Sequence, residues 1–227
     1  MTNSQIRVAI LEDHQSIIDG YLYRLNQAPE IRVVGVAMVS EDLEPLLTQH
    51  PVEVLLMDIN VPISAQNHNI FPILHLLPKL RKQHPNLTIL VISMLNLPAL
   101  IEALVEAGIS GYIFKDDQTS IQQLAKIVAR LAHGGMHFSP GAEPSFRQER
   151  NPTPGAAPLL TARQLETLSI CAAYPDETSA ELAARLGILG STLRNLLSGA
   201  YQRLNVRTRA AAIARAQQLG LLSREGN

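Results

Sequence analysis

The chain has 227 residues, which is enough for one large domain or two modest ones. Hydrophobic residues make up 46% of the sequence and charged residues 17%, a balance typical of globular proteins. No apolar run reaches the length of about 18 residues that a membrane-spanning helix needs, and the N-terminus lacks the pattern of a signal peptide. A single cysteine, Cys171, excludes an internal disulfide framework, so we expect a cytoplasmic protein with no membrane segment.

The charges are unevenly distributed along the chain. Residues 1–140 contain 9 Lys and Arg against 13 Asp and Glu, a net charge of −4, whereas residues 159–227 contain 8 Arg against 5 Asp and Glu, a net charge of +3. The segment 139–158 is rich in Pro, Gly and small polar residues and has no apolar period, as is typical of a linker. We therefore predict an acidic domain over 1–138, a linker over 139–158 and a basic domain over 159–227 that is suited to a polyanion.

In the N-terminal part, short β-rich runs alternate with amphipathic helical patterns. The predicted strands cover residues 6–11, 31–38, 52–57, 87–93 and 111–114, and the predicted helices cover residues 15–27, 41–49, 70–83, 97–107 and 118–133. The strands are apolar almost throughout, which indicates a parallel sheet covered on both faces. Five βα units of this kind predict an α/β, flavodoxin-like doubly wound domain, whose functional groups lie at the carboxyl ends of the strands.

The C-terminal part shows helical patterns and no convincing strand. The predicted helices cover residues 161–173, 178–186, 189–204 and 207–219. In the third helix, apolar residues recur at spacings of 4, 3 and 4, which predicts one buried stripe formed by Leu193, Leu197, Ala200 and Leu204. The opposite face is polar and carries Ser191, Arg194, Asn195, Ser198 and Gln202. The pattern predicts a small all-α domain in which one helix presents a polar face to a partner.

Acidic side chains follow two of the predicted strands. Glu12 and Asp13 come directly after the first strand, and Asp58 comes directly after the third. One acid after a strand is more often a helix N-cap than a ligand, but in a doubly wound sheet these positions adjoin at one edge. Converging carboxylates need a cation, and hard oxygen ligands suit Mg²⁺. Ser93 ends the fourth strand and Lys115 follows the fifth, so the same edge offers two donors to a phosphoryl group on Asp58.

This pattern, with LLMDINVP around Asp58 and GYIFKDD around Lys115, resembles the receiver domain of bacterial two-component response regulators over about residues 5–135. The resemblance implies that Asp58 accepts a phosphoryl group from a sensor histidine kinase. The implied Mg²⁺ ligands are Glu12, Asp13, Asp58 and the backbone carbonyl of Asn60, and the implied partners of the phosphoryl oxygens are Ser93 and Lys115. Tyr112 resembles the switch aromatic that turns inward when Ser93 moves; the alternative is a half-buried strand tyrosine.

The sequence departs from the receiver pattern after Pro62. Residues 63–69 replace the usual glycine-rich turn, and Pro78 is expected to kink a helix that Pro72 could open. This atypical segment lies beside the predicted phosphorylation site, so we expect it to affect kinase recognition or phosphate lifetime. His68 and His75 are interpreted as surface or partner-facing residues rather than as metal ligands.

Residues 160–222 resemble the LuxR-type helix-turn-helix of NarL/FixJ-type response regulators. The matching residues are Leu160, Thr161, Glu166, Glu181, Leu182, Ala183, Leu186, Gly187, Ile188, Thr192, Leu204, Val206 and Arg209. The resemblance implies that the polar face of the third helix, with Thr192, enters the major groove of double-stranded DNA. Arg203, Arg207 and Arg209 are better placed for phosphates. A homodimer is expected to bind paired half-sites, and RNA polymerase is considered as a further partner.

Two other functions are compatible with parts of the sequence. A Mg²⁺-dependent phosphohydrolase would carry a general acid two residues after its aspartyl nucleophile, but this chain has Asn60 there and shows no capping domain. We therefore predict a regulator that is not an enzyme. The second alternative is a phosphoreceiver adaptor that acts through protein contacts, because Leu189, Gly190 and Ser191 replace the usual polar and charged start of the recognition helix.

Overall fold

The computed structural model describes residues 5–143 and 159–222. The N-terminal strands are β1 (Ile6–Leu11), β2 (Ile31–Ala37), β3 (Val54–Met57), β4 (Thr88–Ser93), β5 (Gly111–Phe114) and β6 (His137–Phe138). The N-terminal helices are α1 (Gln15–Leu25), α2 (Leu43–Gln49), α3 (Ile73–Gln83), α4 (Pro98–Glu106), α5 (Gln118–Gln122) and α6 (Leu124–Ala132). The strands form one parallel sheet in the order β2-β1-β3-β4-β5-β6, which confirms the predicted doubly wound α/β fold.

Alternate residues of the central strands face the two sides of the sheet. On one side, Val8 and Ile10 pack with residues of α1 and α6, and on the other side Ala9 and Leu11 pack with residues of α2, α3 and α4. All four are fully buried, so the near-continuous apolar pattern of β1 reflects a strand covered on both faces.

Two details differ from the predicted elements. The helix predicted over 118–133 is divided at Gln123 into α5 and α6, and a short sixth strand follows it. Pro72 precedes α3 as its N-cap, and Pro78 lies inside α3 without ending it. A proline there removes one backbone donor, so the carbonyl of Leu74 lacks its usual helical partner.

The C-terminal part consists of four helices, α7 (Ala162–Ala173), α8 (Ser179–Arg185), α9 (Gly190–Leu204) and α10 (Arg209–Gln218). Threonine side chains cap α7, α8 and α10, whereas Leu189 precedes α9 without a side-chain cap. Gly187, between α8 and α9, has a φ of 65°, which glycine adopts without strain. The predicted stripe of α9 is buried, which confirms the small all-α domain.

The predicted linker 139–158 lies largely outside the described residues. At its start, the hydroxyl of Ser139 donates to Asp117 Oδ2 at 2.6 Å and accepts from the backbone N–H of Phe114, so this residue packs against the sheet edge. Among the described residues, no helix is both long and apolar enough to cross a bilayer.

Candidate functional site

Glu12 and Asp58 lie side by side at the carboxyl edge of the sheet. Leu11 pairs with Met57 at the ends of the neighbouring parallel strands β1 and β3, so the residue that follows each strand reaches the same edge. Both carboxylates are almost completely buried, with 1% of Glu12 and 4% of Asp58 exposed. Two buried carboxylates in one place require a cationic partner, because an unpaired buried charge is costly.

Lys115, which follows β5, provides that partner. Its Nζ lies 2.7 Å from Glu12 Oε2 and 2.7 Å from Asp58 Oδ2. Burial lowers the pKa of Lys115, but the charges and hydrogen bonds of the two carboxylates outweigh it and raise this pKa overall. The pKa of Glu12 is raised by burial and by the charge of Asp58, against the hydrogen bond from Lys115. Lys115 is therefore a protonated ammonium that holds two buried carboxylates together.

Asp13 and His14 complete the acidic edge. His14 Nδ1 lies 2.8 Å from Asp13 Oδ1 and 3.2 Å from Glu12 Oε1, and the charge of Asp13 raises the pKa of His14. One potential ligand atom from each of these three residues lies within 4.8 Å of the others. His14 was not among the predicted site residues, and only its place beside two acids could have pointed to it.

The carboxylates at this edge fit a hard divalent cation. Glu12 and Asp13 supply oxygen atoms on neighbouring residues, and Asp58 is joined to Glu12 through the ammonium of Lys115. The backbone N–H of Asn60 donates to Asp58 Oδ1 at 3.2 Å, so Asn60 lies beside Asp58 in the loop that follows β3. Oxygen ligands of this kind suit Mg²⁺.

Ser93 and Tyr112 meet at the loop that follows β4. Ser93 Oγ accepts from the backbone N–H of Leu95 at 3.2 Å, and the hydroxyl of Tyr112 donates to the carbonyl of Leu95 at 2.7 Å. Neither side chain is exposed, and burial raises the pKa of Tyr112 to about 12. The ring of Tyr112 packs edge-on against Phe114 at 5.5 Å between centroids. Tyr112 is thus fully buried rather than half-buried, and it shares one backbone residue with Ser93.

Tyr21 on α1 is a second buried tyrosine near the acidic edge that the sequence analysis missed. Only 5% of it is exposed, and its hydroxyl has no hydrogen-bond partner among the described residues. Burial raises its pKa, and the charges of Glu12 and Asp58 add to this effect. Its ring and Lys115 line one cavity beside α5. An aromatic residue in the apolar stripe of α1 reads as core, so no sequence signal distinguishes it.

Most residues predicted to contact DNA lie on one exposed surface of α9 and the loop that follows. The exposed members are Ser191, Thr192, Arg194, Asn195, Ser198, Gln202, Arg203 and Arg207. Arg209 does not join them, because its guanidinium donates to the carbonyls of Glu177 at 3.0 Å and Pro175 at 2.8 Å. Arg209 therefore ties the start of α10 to the loop between α7 and α8.

The two domains are in contact through the atypical segment and α3. The side-chain amides of Asn67 and Asn69 donate to the carbonyl of Ala173, and His75 Nδ1 lies 3.1 Å from Glu166 Oε1. His68 is exposed, as expected of a surface residue, whereas His75 faces the C-terminal domain.

Comparison with known proteins places this arrangement in a family. The response regulator receiver domain matches residues 8–128. The transcriptional regulatory protein YvfU of Bacillus subtilis is 28% identical over 216 residues, 95% of this chain and 98% of that protein. The probable transcriptional regulatory protein NarL of Mycobacterium tuberculosis is 28% identical over 231 residues, 98% of this chain and 100% of that protein.

A solved structure shares the two-domain fold. The RcsB response regulator of Salmonella typhimurium matches with a TM-score of 0.63 at 23% identity, covering 95% of this chain and 98% of that one. The receiver match spans more than half of the chain, and both relatives align along nearly its whole length. The chain therefore belongs to the response regulators, as a member of the NarL/FixJ type.

Proposed function

We propose that Asp58 is the phosphoacceptor through which this DNA-binding transcriptional regulator is controlled, with a sensor histidine kinase as the donor. The observation that carries the proposal is the buried Asp58 carboxylate, held 2.7 Å from the ammonium of Lys115 beside Glu12. In the transfer, an oxygen of Asp58 attacks phosphorus, and the bond between phosphorus and the donor's imidazole nitrogen breaks, leaving its electron pair on that nitrogen. The product is an acyl phosphate on Asp58.

The residues around Asp58 match the needs of this reaction. Glu12, Asp13, Asp58 and the carbonyl of Asn60 would hold Mg²⁺, which supplies positive charge to the phosphoryl oxygens. Lys115 would exchange one of its carboxylate contacts for a phosphoryl oxygen, and Ser93 would donate its hydroxyl to another. Ser93 Oγ accepts from the backbone N–H of Leu95 and also interacts with the hydroxyl of Tyr112, so a turn of Ser93 toward the phosphoryl group would change both contacts.

Ser93 and Tyr112 provide a route from the phosphoryl group to the surface of the domain. If Ser93 turns toward the phosphoryl group, its contact with Leu95 changes, and Leu95 also accepts the hydroxyl of Tyr112. If the loop after β4 has two arrangements, a phosphoryl group that contacts only one of them shifts the equilibrium toward that arrangement. We infer that Tyr112 is the switch aromatic and that its buried position is one of the two states.

The exposed face of α9 supports binding in the major groove. Arg194, Asn195 and Gln202 offer the donor and acceptor groups that recognise guanine and adenine edges. Arg203 and Arg207 lie where they can contact phosphates. We propose that a homodimer binds two half-sites in the cytoplasm and that RNA polymerase is a further partner. These assignments rest on the family and on the exposed polar face.

One observation supports the alternative function, a phosphoreceiver adaptor that acts through protein contacts. Leu189 precedes α9 and is 74% exposed, so an apolar side chain stands at the end of the helix that would meet DNA. An exposed leucine suits a protein partner as well as a thymine methyl group.

Fluorescence anisotropy with Mg²⁺ and beryllofluoride tests the proposal. Duplexes would be selected by the full chain from a random library, and binding would be compared with and without beryllofluoride as the phosphoryl mimic. We expect tighter binding with the mimic in the wild type and no response in Asp58→Asn. A response that persists in Asp58→Asn would overturn the assignment of Asp58, and a failure to select any duplex in either state would favour the adaptor.

A further inference from the structure

The atypical segment is a folded loop that holds the end of α7. Backbone bonds join Ile63 N–H to the carbonyl of Asn69 and Ser64 N–H to the carbonyl of Asn67, each at 3.0 Å. The backbone N–H of Asn69 also donates to Asn67 Oδ1 at 3.0 Å. The internal bonds hold the side chain of Asn67 and the backbone of Asn69, and both side-chain amides donate to the C-terminal domain. The loop is therefore preorganised for the contact that it makes.

Both asparagines donate to the carbonyl of Ala173, the last residue of α7. The distances from Nδ2 are 3.3 Å for Asn67 and 3.0 Å for Asn69. The last carbonyls of a helix lack intrahelical partners and carry partial negative charge, so two amide donors satisfy a group that the helix itself leaves open. The receiver domain thereby caps a helix of the DNA-binding domain.

About two turns earlier on α7, Glu166 contacts His75 of α3. Both side chains are mostly buried, with 13% of His75 and 8% of Glu166 exposed. Burial raises the pKa of Glu166, but hydrogen bonds from His75 and Arg163 outweigh it and lower the pKa overall, so the carboxylate is charged. A charged acceptor gives a stronger hydrogen bond than a neutral one.

An apolar layer continues the contact toward the phosphorylation loop. Ile59, Phe71 and Leu100 of the receiver domain and Leu165 and Leu222 of the C-terminal domain line one cavity between the domains. Ile59 directly follows Asp58 in the chain. The contact is therefore physically continuous with the proposed phosphoacceptor.

The docked arrangement leaves the predicted DNA-binding face open. Arg194, Asn195 and Gln202 of α9 are exposed although the domains are in contact, because the receiver domain contacts α7 and residues 221–222, which follow α10. We propose that His75 and Asn69 are positioning residues for DNA binding: they fix the orientation of the DNA-binding domain on the receiver domain through Glu166 and Ala173. This inference rests on the proposed role of α9 in DNA binding. It implies that the contact between the two domains favours DNA binding and does not block it.

A fixed orientation matters when two half-sites must be bound together. A dimer engages both sites efficiently only if the spacing of its recognition helices matches theirs. Loosening the contact in each protomer lowers the effective concentration of the second helix at its site. The loosened contact does not change the hydrogen bonds and packing that one recognition helix makes with one half-site.

Two substitutions remove the contact with little change in shape. His75→Leu keeps a side chain of similar volume but removes the donor to Glu166. Asn69→Asp replaces the donor to Ala173 with a carboxylate that repels the carbonyl of Ala173. His75→Asn retains a nitrogen donor at the δ position and should restore function. His68→Ala is the matched control, because His68 lies in the same loop and is exposed.

The experiment combines a distance measurement with DNA binding by the full chain. Spin labels on cysteines introduced at Tyr23 and Ala184, both exposed, report the separation of the domains. We expect a narrow distance distribution in the wild type, His68→Ala and His75→Asn, and a broad one in His75→Leu and Asn69→Asp. On duplexes with two copies of a selected half-site, the two disrupting variants should bind roughly tenfold more weakly, because the second recognition helix then has a lower effective concentration at its half-site. On duplexes with one copy, they should match the wild type.

Each other outcome overturns the inference. Tighter binding by His75→Leu or Asn69→Asp would show that docking blocks DNA, and a broad distribution with unchanged binding would show that orientation is irrelevant. Unchanged distances in these variants would show that the two residues do not hold the domains. If the wild type binds no duplex at all, the proposed role of α9 fails, and the distances alone then report whether the docking itself exists.

Discussion

The hydroxyl of Tyr112 donates a 2.7 Å hydrogen bond to the carbonyl of Leu95, two residues beyond the end of β4. Ser93, at the end of the same strand, accepts from the backbone N–H of Leu95. One backbone residue thus couples the hydroxyl proposed to bind the phosphoryl group to the aromatic side chain proposed as the switch. Any movement of Ser93 must change the surroundings of Tyr112.

Removing the hydroxyl of Tyr112 tests this coupling. Tyr112→Phe keeps the packing of the ring but leaves the carbonyl of Leu95 without its donor, so we expect the free energy of unfolding to fall by about 1 kcal/mol. The gain in DNA affinity caused by beryllofluoride should also shrink. Urea unfolding and anisotropy provide the two measurements. Tyr23→Phe is the control, because Tyr23 is 69% exposed; an equal loss in both variants would contradict the coupling.

Removing Lys115 should lower the free energy of unfolding, because the ammonium pairs with the carboxylates of the acidic edge. Lys115→Ala leaves Glu12 and Asp58 as two buried carboxylates without their cation, which costs about 3–5 kcal/mol when a buried pair is broken. Unpaired carboxylates have raised pKa values in the folded state, so the variant should be closest to the wild type at low pH and lose stability as the pH rises.

Urea unfolding of Lys115→Ala and wild type at pH 5 and pH 8, without Mg²⁺, measures that difference. We expect Mg²⁺ to restore part of the lost stability at pH 8. A difference between the two proteins that does not depend on pH would argue against the carboxylates as its cause.

The raised pKa of Glu12 predicts how Mg²⁺ binding depends on pH. Protons compete with the metal for this carboxylate, and because burial raises its pKa above the ordinary value of 4.5, the competition begins at a higher pH than for an exposed acid. Mg²⁺ should therefore raise the melting temperature more at pH 8 than at pH 5. Calorimetry checks this expectation. Asp13→Asn should reduce the shift at both pH values, and an equal shift at both pH values in the wild type would count against Glu12 as a ligand.

Tyr21 has a hydroxyl that is buried without a partner among the described residues. Such a group costs about 1–3 kcal/mol, so Tyr21→Phe should leave the stability unchanged or raise it by about 1 kcal/mol. Chemical unfolding with Tyr23→Phe, on the same helix, as the reference tests this. A clear loss of stability in Tyr21→Phe alone would mean that the hydroxyl has a bound partner in solution, such as a water molecule.

Local sequence patterns were sufficient to predict most helices and strands and to predict that acidic side chains lie together at one edge of the sheet. Val8, Ala9 and Ile10 predict a strand that is buried on both faces because successive side chains alternate across a sheet. Glu12, Asp58 and Lys115 could be grouped because parallel strands bring their carboxyl ends to one edge, whatever the details of packing. The buried stripe of α9 follows from the helical period, and each of these predictions uses only short stretches of sequence and the regular geometry of a helix or a parallel sheet.

The contacts between distant surfaces were decided only by the tertiary structure. His75 and Glu166 are 91 residues apart, and no period or motif relates a histidine of α3 to a glutamate of α7. Arg209 fits a phosphate contact by its position, but its guanidinium reaches two carbonyls of the loop between α7 and α8. The missing partner of the Tyr21 hydroxyl likewise depends on which groups surround it. The physical reason is that a pattern specifies which face of an element is buried, whereas hydrogen-bond partners depend on which faces meet.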